Sequence, residues 1–111
     1  LIFKRFMTLV PENTPRHRDV AFYAEKLCIT SKYLTTVCKQ ASGKPASEII
    51  GTYATNHIKR LLRSTEKSVK EVAHEAGFDN LSFFGKYVRR ELGVSPREFR
   101  LQQARQGPLP L

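Results

Sequence analysis

The sequence predicts an all-α chain of seven helices, arranged as two copies of one helical unit joined by a long helix. Two observations carry this. Apolar residues recur at helical spacing with no period-two alternation, and a stretch of the chain is written twice. Residues 19–50 read DVAFYAEKLCITSKYLTTVCKQASGKPASEII, and residues 68–100 read SVKEVAHEAGFDNLSFFGKYVRRELGVSPREFR. Val20, Ala24 and Cys28 align with Val69, Ala73 and Gly77 at an offset of 49. Beyond the turn the offset becomes 50, and Tyr33, Leu34 and Gly43 align with Phe83, Phe84 and Gly93. Each copy runs short helix, tight turn, second helix, glycine, which is the layout of a helix-turn-helix.

The elements follow in order. Phe3, Phe6, Met7 and Val10 suggest a first helix, which Pro11 and Pro15 are expected to end because proline lacks an amide hydrogen. Asp19 is placed to cap the next helix, which runs to about Leu27. A turn over Cys28–Thr30 leads to a helix from about Ser31 to Ser42, stopped by Gly43. The longest helix spans about Ala46 to Arg63, with Ile49, Ile50, Tyr53, Ala54, Ile58, Leu61 and Leu62 on one stripe. Being continuous, it is expected to set the separation and rotation of the two repeats. Ser68 and Glu71 form a capping-box pattern, and Gly77 ends that helix. Asp79 or Asn80 opens the next helix, which reaches Leu92 before Gly93. Ser95-Pro96-Arg97-Glu98 opens a last helix, with proline at its first position. The expected organisation is residues 1–45 as the first lobe, 46–64 as the linker helix, 65–105 as the second lobe and 106–111 as a frayed tail.

Composition narrows the function. The 111 residues support one domain or two small lobes. Nineteen Lys and Arg stand against ten Asp and Glu, a net charge of +9. Acids sit in the first helix of each repeat, at Glu25, Glu71 and Glu75, while bases gather in the second helices and beyond them. A basic face suits a phosphate backbone. The same surplus would also suit solubility, a ribosomal role or a membrane surface. No apolar run approaches the roughly 20 residues needed to span a bilayer, and no signal peptide opens the chain. It begins at Leu1 rather than Met, which reads as a fragment of a longer protein. Cys28 and Cys38 form no metal-binding spacing with His17, His57 or His74, so no metal or other cofactor is expected. Two cysteines without a framework fit a reducing cytoplasm. No nucleophile–base constellation or phosphate loop is present, and the chain reads as a non-enzyme.

A helix-turn-helix needs a small residue where its helices cross, and Ala24 and Ala73 supply it. It also needs a residue tolerant of positive φ at the turn, which Gly77 meets better than Cys28. Leu34, Val37 and Cys38, then Phe84, Tyr87 and Val88, are the inward anchors. That leaves Ser31, Lys32, Thr35 and Thr36 on one helix, and Leu81, Ser82, Gly85 and Lys86 on the other, as candidate readers of base edges. Lys39, Lys44, Arg89, Arg90 and Arg97 are candidate phosphate contacts. Gly85 offers no side chain and allows close approach, and readout is expected to lean on apolar and shape terms. Phe84 and Tyr87 read as core residues rather than stacking platforms, and the cysteines as small buried hydrophobes.

These residues resemble the C-terminal DNA-binding domain of AraC/XylS-type transcriptional regulators, over about Phe3 to Arg100. The most specific segment is AHEAGFDNLSFFGKYVRRELGVSPREFR, residues 73–100, with FYAEKLCITSKYL and ASGKPASEII matching the first half. The resemblance implies two homeodomain-like helix-turn-helix lobes with recognition helices in successive major grooves of double-stranded DNA. It places base reading on Lys32, Thr35, Thr36, Ser82, Gly85 and Lys86. It also implies RNA polymerase as a partner and an N-terminal effector or dimerisation domain outside these residues. Pro45 stands where the family often has Thr or Ser, and Phe99 where Tyr is usual. Two other classes stay open: a helical protein–protein adaptor, and a nucleoid or RNA-binding protein without sequence preference. The first predicts weak, salt-insensitive contact with DNA, the second equal affinity for any duplex.

Overall fold

A computed structural model of the chain describes residues 1–64 and 66–106. They form α1 (Ile2–Asn13), α2 (Val20–Lys26), α3 (Ser31–Ser42), α4 (Ala46–Arg63), α5 (Val69–Glu75), α6 (Leu81–Leu92) and α7 (Pro96–Gln106). Among the described residues there is no strand. The frayed tail expected from position 106 begins inside α7, and its remainder, 107–111, lies outside the described residues. Two compact units divide within α4, the first being Leu1–Asn56 and the second starting at His57.

The first unit packs Phe6 and Val10 of α1, Tyr23 and Ala24 of α2, Leu34 and Cys38 of α3, and Ile49 and Ile50 of α4 into one core. Phe6 meets Tyr23 edge to face, with ring centroids 5.7 Å apart. The Tyr23 hydroxyl, though buried, donates to the His17 carbonyl at 2.7 Å. Burial pushes its pKa up to about 12, so it stays a neutral donor.

The expected end of α1 at Pro11 is corrected: the helix runs through it to Asn13. Pro11 withholds one amide late in the helix, and the following turn closes by other donors. Asn13 Nδ2 donates to the Leu9 carbonyl at 2.8 Å, and Thr14 Oγ1 to that of Val10 at 2.9 Å. The Thr14 amide also donates to Val10, at 3.0 Å. Pro15 is the effective stop. Thr14 precedes it and is extended, with φ −91° and ψ 151°, as a following proline demands. Asp19 does sit at the start of α2, but its side chain makes no capping bond.

The turns repeat as closely as the helices. Ile29 N–H donates to the Ala24 carbonyl at 3.0 Å, and Phe78 N–H to that of Ala73 at 2.9 Å. Cys28 and Gly77 both take positive φ, 57° and 86°. Thr30 then caps α3 by accepting from Tyr33 N–H at 3.1 Å. Asn80 caps α6 by accepting from Ser82 N–H and Phe83 N–H at 2.8 and 3.2 Å. The residue that lengthens the second turn is therefore Asp79, between the matched Phe78 and the matched cap. A side chain in the left-handed region is strained by about 1–2 kcal/mol. Cys28→Gly is accordingly expected to raise stability by about 0.5–1 kcal/mol, after the greater freedom of glycine in the unfolded chain is subtracted. Urea denaturation of the two proteins measures it, and a destabilised variant would refute the strain.

The second unit has its own core: Ile58 and Leu62 of α4, Val72 and Ala73 of α5, Phe84 and Val88 of α6, and Phe99 of α7, with Ala76 from the turn. The capping box at α5 is complete, with Glu71 N–H to Ser68 Oγ at 3.0 Å and Ser68 N–H to Glu71 Oε1 at 2.9 Å. Hydrogen bonding from Ser68 to the carboxylate, its backbone N–H foremost, holds the Glu71 carboxyl below the usual range. At α7, Glu98 N–H donates to Ser95 Oγ at 3.1 Å. Arg100 closes the other end of α4, its Nε donating to the Leu62 carbonyl at 2.7 Å and its Nη2 to that of Ser64 at 2.8 Å. The Leu62 carbonyl lies in the last turn of α4, where carbonyls have no intrahelical donor, and Ser64 directly follows the helix.

Candidate nucleic-acid interface

Helices α3 and α6 are both twelve residues long, begin 50 residues apart and stop at glycines with φ 80°. Their burial matches position by position. Leu34 and Cys38 are buried where Phe84 and Val88 are, and Thr35 and Val37 are half-buried where Gly85 and Tyr87 are. The other positions from 31 to 40 and from 81 to 90 are exposed in both. The sequence thus writes one amphipathic pattern twice, and each unit uses it to seat the inner face of its second helix. Between residues 31 and 40, and between 81 and 90, there are five cations and no acid. The outward faces of both helices are therefore electropositive.

Of the residues expected to read base edges, Ser31, Lys32 and Thr36 are exposed on α3 with Thr35 half-buried. On α6, Leu81, Ser82 and Lys86 are exposed and Gly85 is half-buried. Lys39, Lys44, Arg89, Arg90 and Arg97 are all exposed. Thr36 Oγ1 donates to the Lys32 carbonyl at 3.1 Å, so its methyl and its oxygen lone pairs are what it offers outward. Arg90 holds its guanidinium 5.2 Å from the Tyr87 ring centroid, with Nε 3.7 Å from a Glu91 carboxylate oxygen. Its side chain nonetheless stays open to solvent, as a phosphate contact requires.

Two exposed residues on these faces were not among the expected contacts. Tyr33 and Phe83 are matched in the repeat and are 50 % and 62 % exposed. Each precedes a buried anchor by one residue, which in a helix of 3.6 residues per turn rotates it about 100° away from the core. That rotation was available as a signal. Large aromatic type pointed the other way, because such residues dominate cores. Cys28 is exposed rather than buried, a correction imposed by its place in the turn. Cys38 is buried, and burial raises its thiol pKa, which keeps it protonated and inert. No helix among the described residues is long and apolar enough to cross a membrane. No group of three His, Cys, Asp or Glu among them could hold a metal ion.

Comparison with known proteins agrees with this geometry. A family profile described as a helix-turn-helix domain matches residues 23–102. The HTH-type transcriptional activator RhaR of Yersinia pseudotuberculosis is 26 % identical over 104 residues, covering 94 % of this chain and 36 % of that protein. The chain thus spans about a third of the length of the curated relatives it matches. An AraC-type transcriptional regulator from Chromobacterium violaceum has a similar fold, with a TM-score of 0.75 at 24 % identity over 96 % of this chain and 95 % of that one. The DNA-binding domain of AdpA, a global transcriptional factor solved with a target DNA, gives 0.78 at 22 % identity over 96 % of both. With more than half its length matched by the family profile, the chain belongs to the helix-turn-helix family of AraC/XylS-type transcriptional regulators, whose domains of this kind bind DNA sequence-specifically.

Proposed function

We propose that this domain recognises one specific duplex with two helices, α3 and α6, each laid in a major groove, the two grooves being successive. The observation that carries the reading is the pair of matching faces, exposed at the same positions and free of acids. Ser31, Lys32, Thr35 and Thr36 meet base edges from the first unit, and Leu81, Ser82, Gly85 and Lys86 from the second. Lys39, Lys44, Arg89, Arg90 and Arg97 hold phosphates, which set register without reading sequence. In this reading residues 1–45 act as the first lobe, 46–64 as the linker helix and 65–105 as the second lobe. The full protein, in this reading, works in the cytoplasm, carries effector-binding or dimerising parts elsewhere and contacts RNA polymerase.

Selection of bound duplexes from a random pool, followed by footprinting, tests the reading, and two variants divide the roles. Thr36→Ala is expected to relax preference at one or two adjacent base pairs and to weaken binding by about 1 kcal/mol or somewhat more. Arg89→Ala is expected to weaken binding to all sequences alike. A changed preferred sequence with Arg89→Ala, and an unchanged one with Thr36→Ala, would reverse the assignment. Equal affinity for random and selected duplexes would leave a binder without sequence preference.

A further inference from the structure

The second unit carries a notch beside its recognition helix. In the second unit Val69, Leu81, Gly85, Ser95, Pro96 and Arg97 line an open notch of about 230 Å³. That is smaller than ordinary small-molecule sites, which begin at roughly 300 Å³. Its walls are almost wholly apolar, and Leu81 stands 50 % exposed on its edge.

The fold does not explain Gly85. It lies inside α6 and is not among the glycines with positive φ. A Cβ built there would meet nothing within 4 Å, so no neighbour requires its absence. Glycine within a helix is less stable than alanine by about 0.5–1 kcal/mol. The open space above Gly85 is thus kept at some loss of helix stability. The repeat sharpens the contrast. Fifty residues before Leu81 and Gly85 stand Ser31 and Thr35, both hydroxyl-bearing. One unit offers hydroxyls where the other offers a leucine and a gap.

We propose that Leu81 and Gly85 form a receptor for the 5-methyl group of thymine, so that the second unit reads thymine by apolar contact. This rests on the reading of α6 as a major-groove helix. The thymine methyl is the one apolar group that any base presents in the major groove. Gly85 leaves room for it, Leu81 covers it, and Arg97 at the notch with Lys86 on the same helix supplies the positive charge that the flanking phosphates need. An acidic peptide would answer the same charges. The duplex is favoured because the notch opens beside α6, whose exposed face repeats that of α3 position by position, as two groove-reading helices require.

The test starts from the duplex selected by the wild-type chain. Each thymine is replaced in turn by deoxyuridine, which removes the methyl and keeps the base pairing. The expected result is a loss of affinity of about fourfold at one or two positions within the segment footprinted by the second unit, the fold-change for one buried methyl-sized group. Leu81→Ser is expected to abolish the preference for thymine over uracil at those positions. Gly85→Ala is expected to lower affinity for the thymine duplex while its melting temperature holds or rises, which separates loss of the notch from loss of folding. A selected duplex whose uracil scan is flat overturns the proposal alone, as does a Leu81→Ser variant that still prefers thymine. Failure to select any sequence overturns this proposal together with the DNA reading on which it rests.

Discussion

The affinity of the domain for its selected duplex is expected to fall on the order of a thousandfold as salt rises from about 50 to 200 mM. The cause is counterion release. Each phosphate neutralised by Lys or Arg frees a condensed cation, and log affinity then falls with log salt at a slope near −0.9 per contact. Lys39, Lys44, Arg89, Arg90 and Arg97 are exposed, and Lys32 and Lys86 add charge to the same faces. Roughly five to eight contacts would give a slope of about −4.5 to −7. Fluorescence anisotropy of a labelled duplex across a salt series measures it directly. A slope near zero would remove the phosphate contacts and favour a protein–protein adaptor. Replacing Lys39 by Ala is expected to reduce the slope by about one contact, whereas a residue that reads only base edges leaves it nearly unchanged.

Two adjacent phenylalanines are expected to answer oppositely to truncation. Phe84 is fully buried and meets Phe78 edge to face at 5.3 Å, within a core that draws on four helices. Phe84→Ala removes a large side chain from that core and leaves a cavity, so a loss of about 3–5 kcal/mol is expected. Against the roughly 5–15 kcal/mol of an ordinary domain, that is enough to unfold much of the second unit at ambient temperature. Phe83 is 62 % exposed, and Phe83→Ala is expected to change stability by no more than about 0.5 kcal/mol. Thermal denaturation of the two variants, followed by circular dichroism, compares them. Equal losses would mean that the two rings share the core and that the exposed face of α6 is narrower than described. The first unit offers a control, since its core is built from Phe6, Tyr23, Leu34 and their neighbours and contains neither residue.

Much of the fold was legible because its signals are local. A glycine able to take positive φ, a Ser with Glu three residues on and an apolar stripe each act within about a turn of helix. They located α3, α5 and α6 with their stops at Gly43, Gly77 and Gly93, and the repeat doubled each signal. The candidate faces were legible for the same reason, since anchors such as Leu34 and Phe84 define the opposite side. Pro11 misled because proline's effect on a helix depends on what the next turn can supply, and here Asn13 and Thr14 closed it with their own side chains.

By itself, then, the sequence determined the all-α class, the duplication, the register of the two second helices and the charge of their outer faces, all properties of residues close together in the chain. Tertiary structure decided what depends on residues far apart. It committed Arg100 to the carbonyls of Leu62 and Ser64, 38 and 36 residues away. It also brought Val69 and Pro96 to the side of Leu81 and Gly85, so that a leucine and a glycine became a notch. Helix periodicity says which way a side chain points, but only the packing of other elements says what stands in front of it.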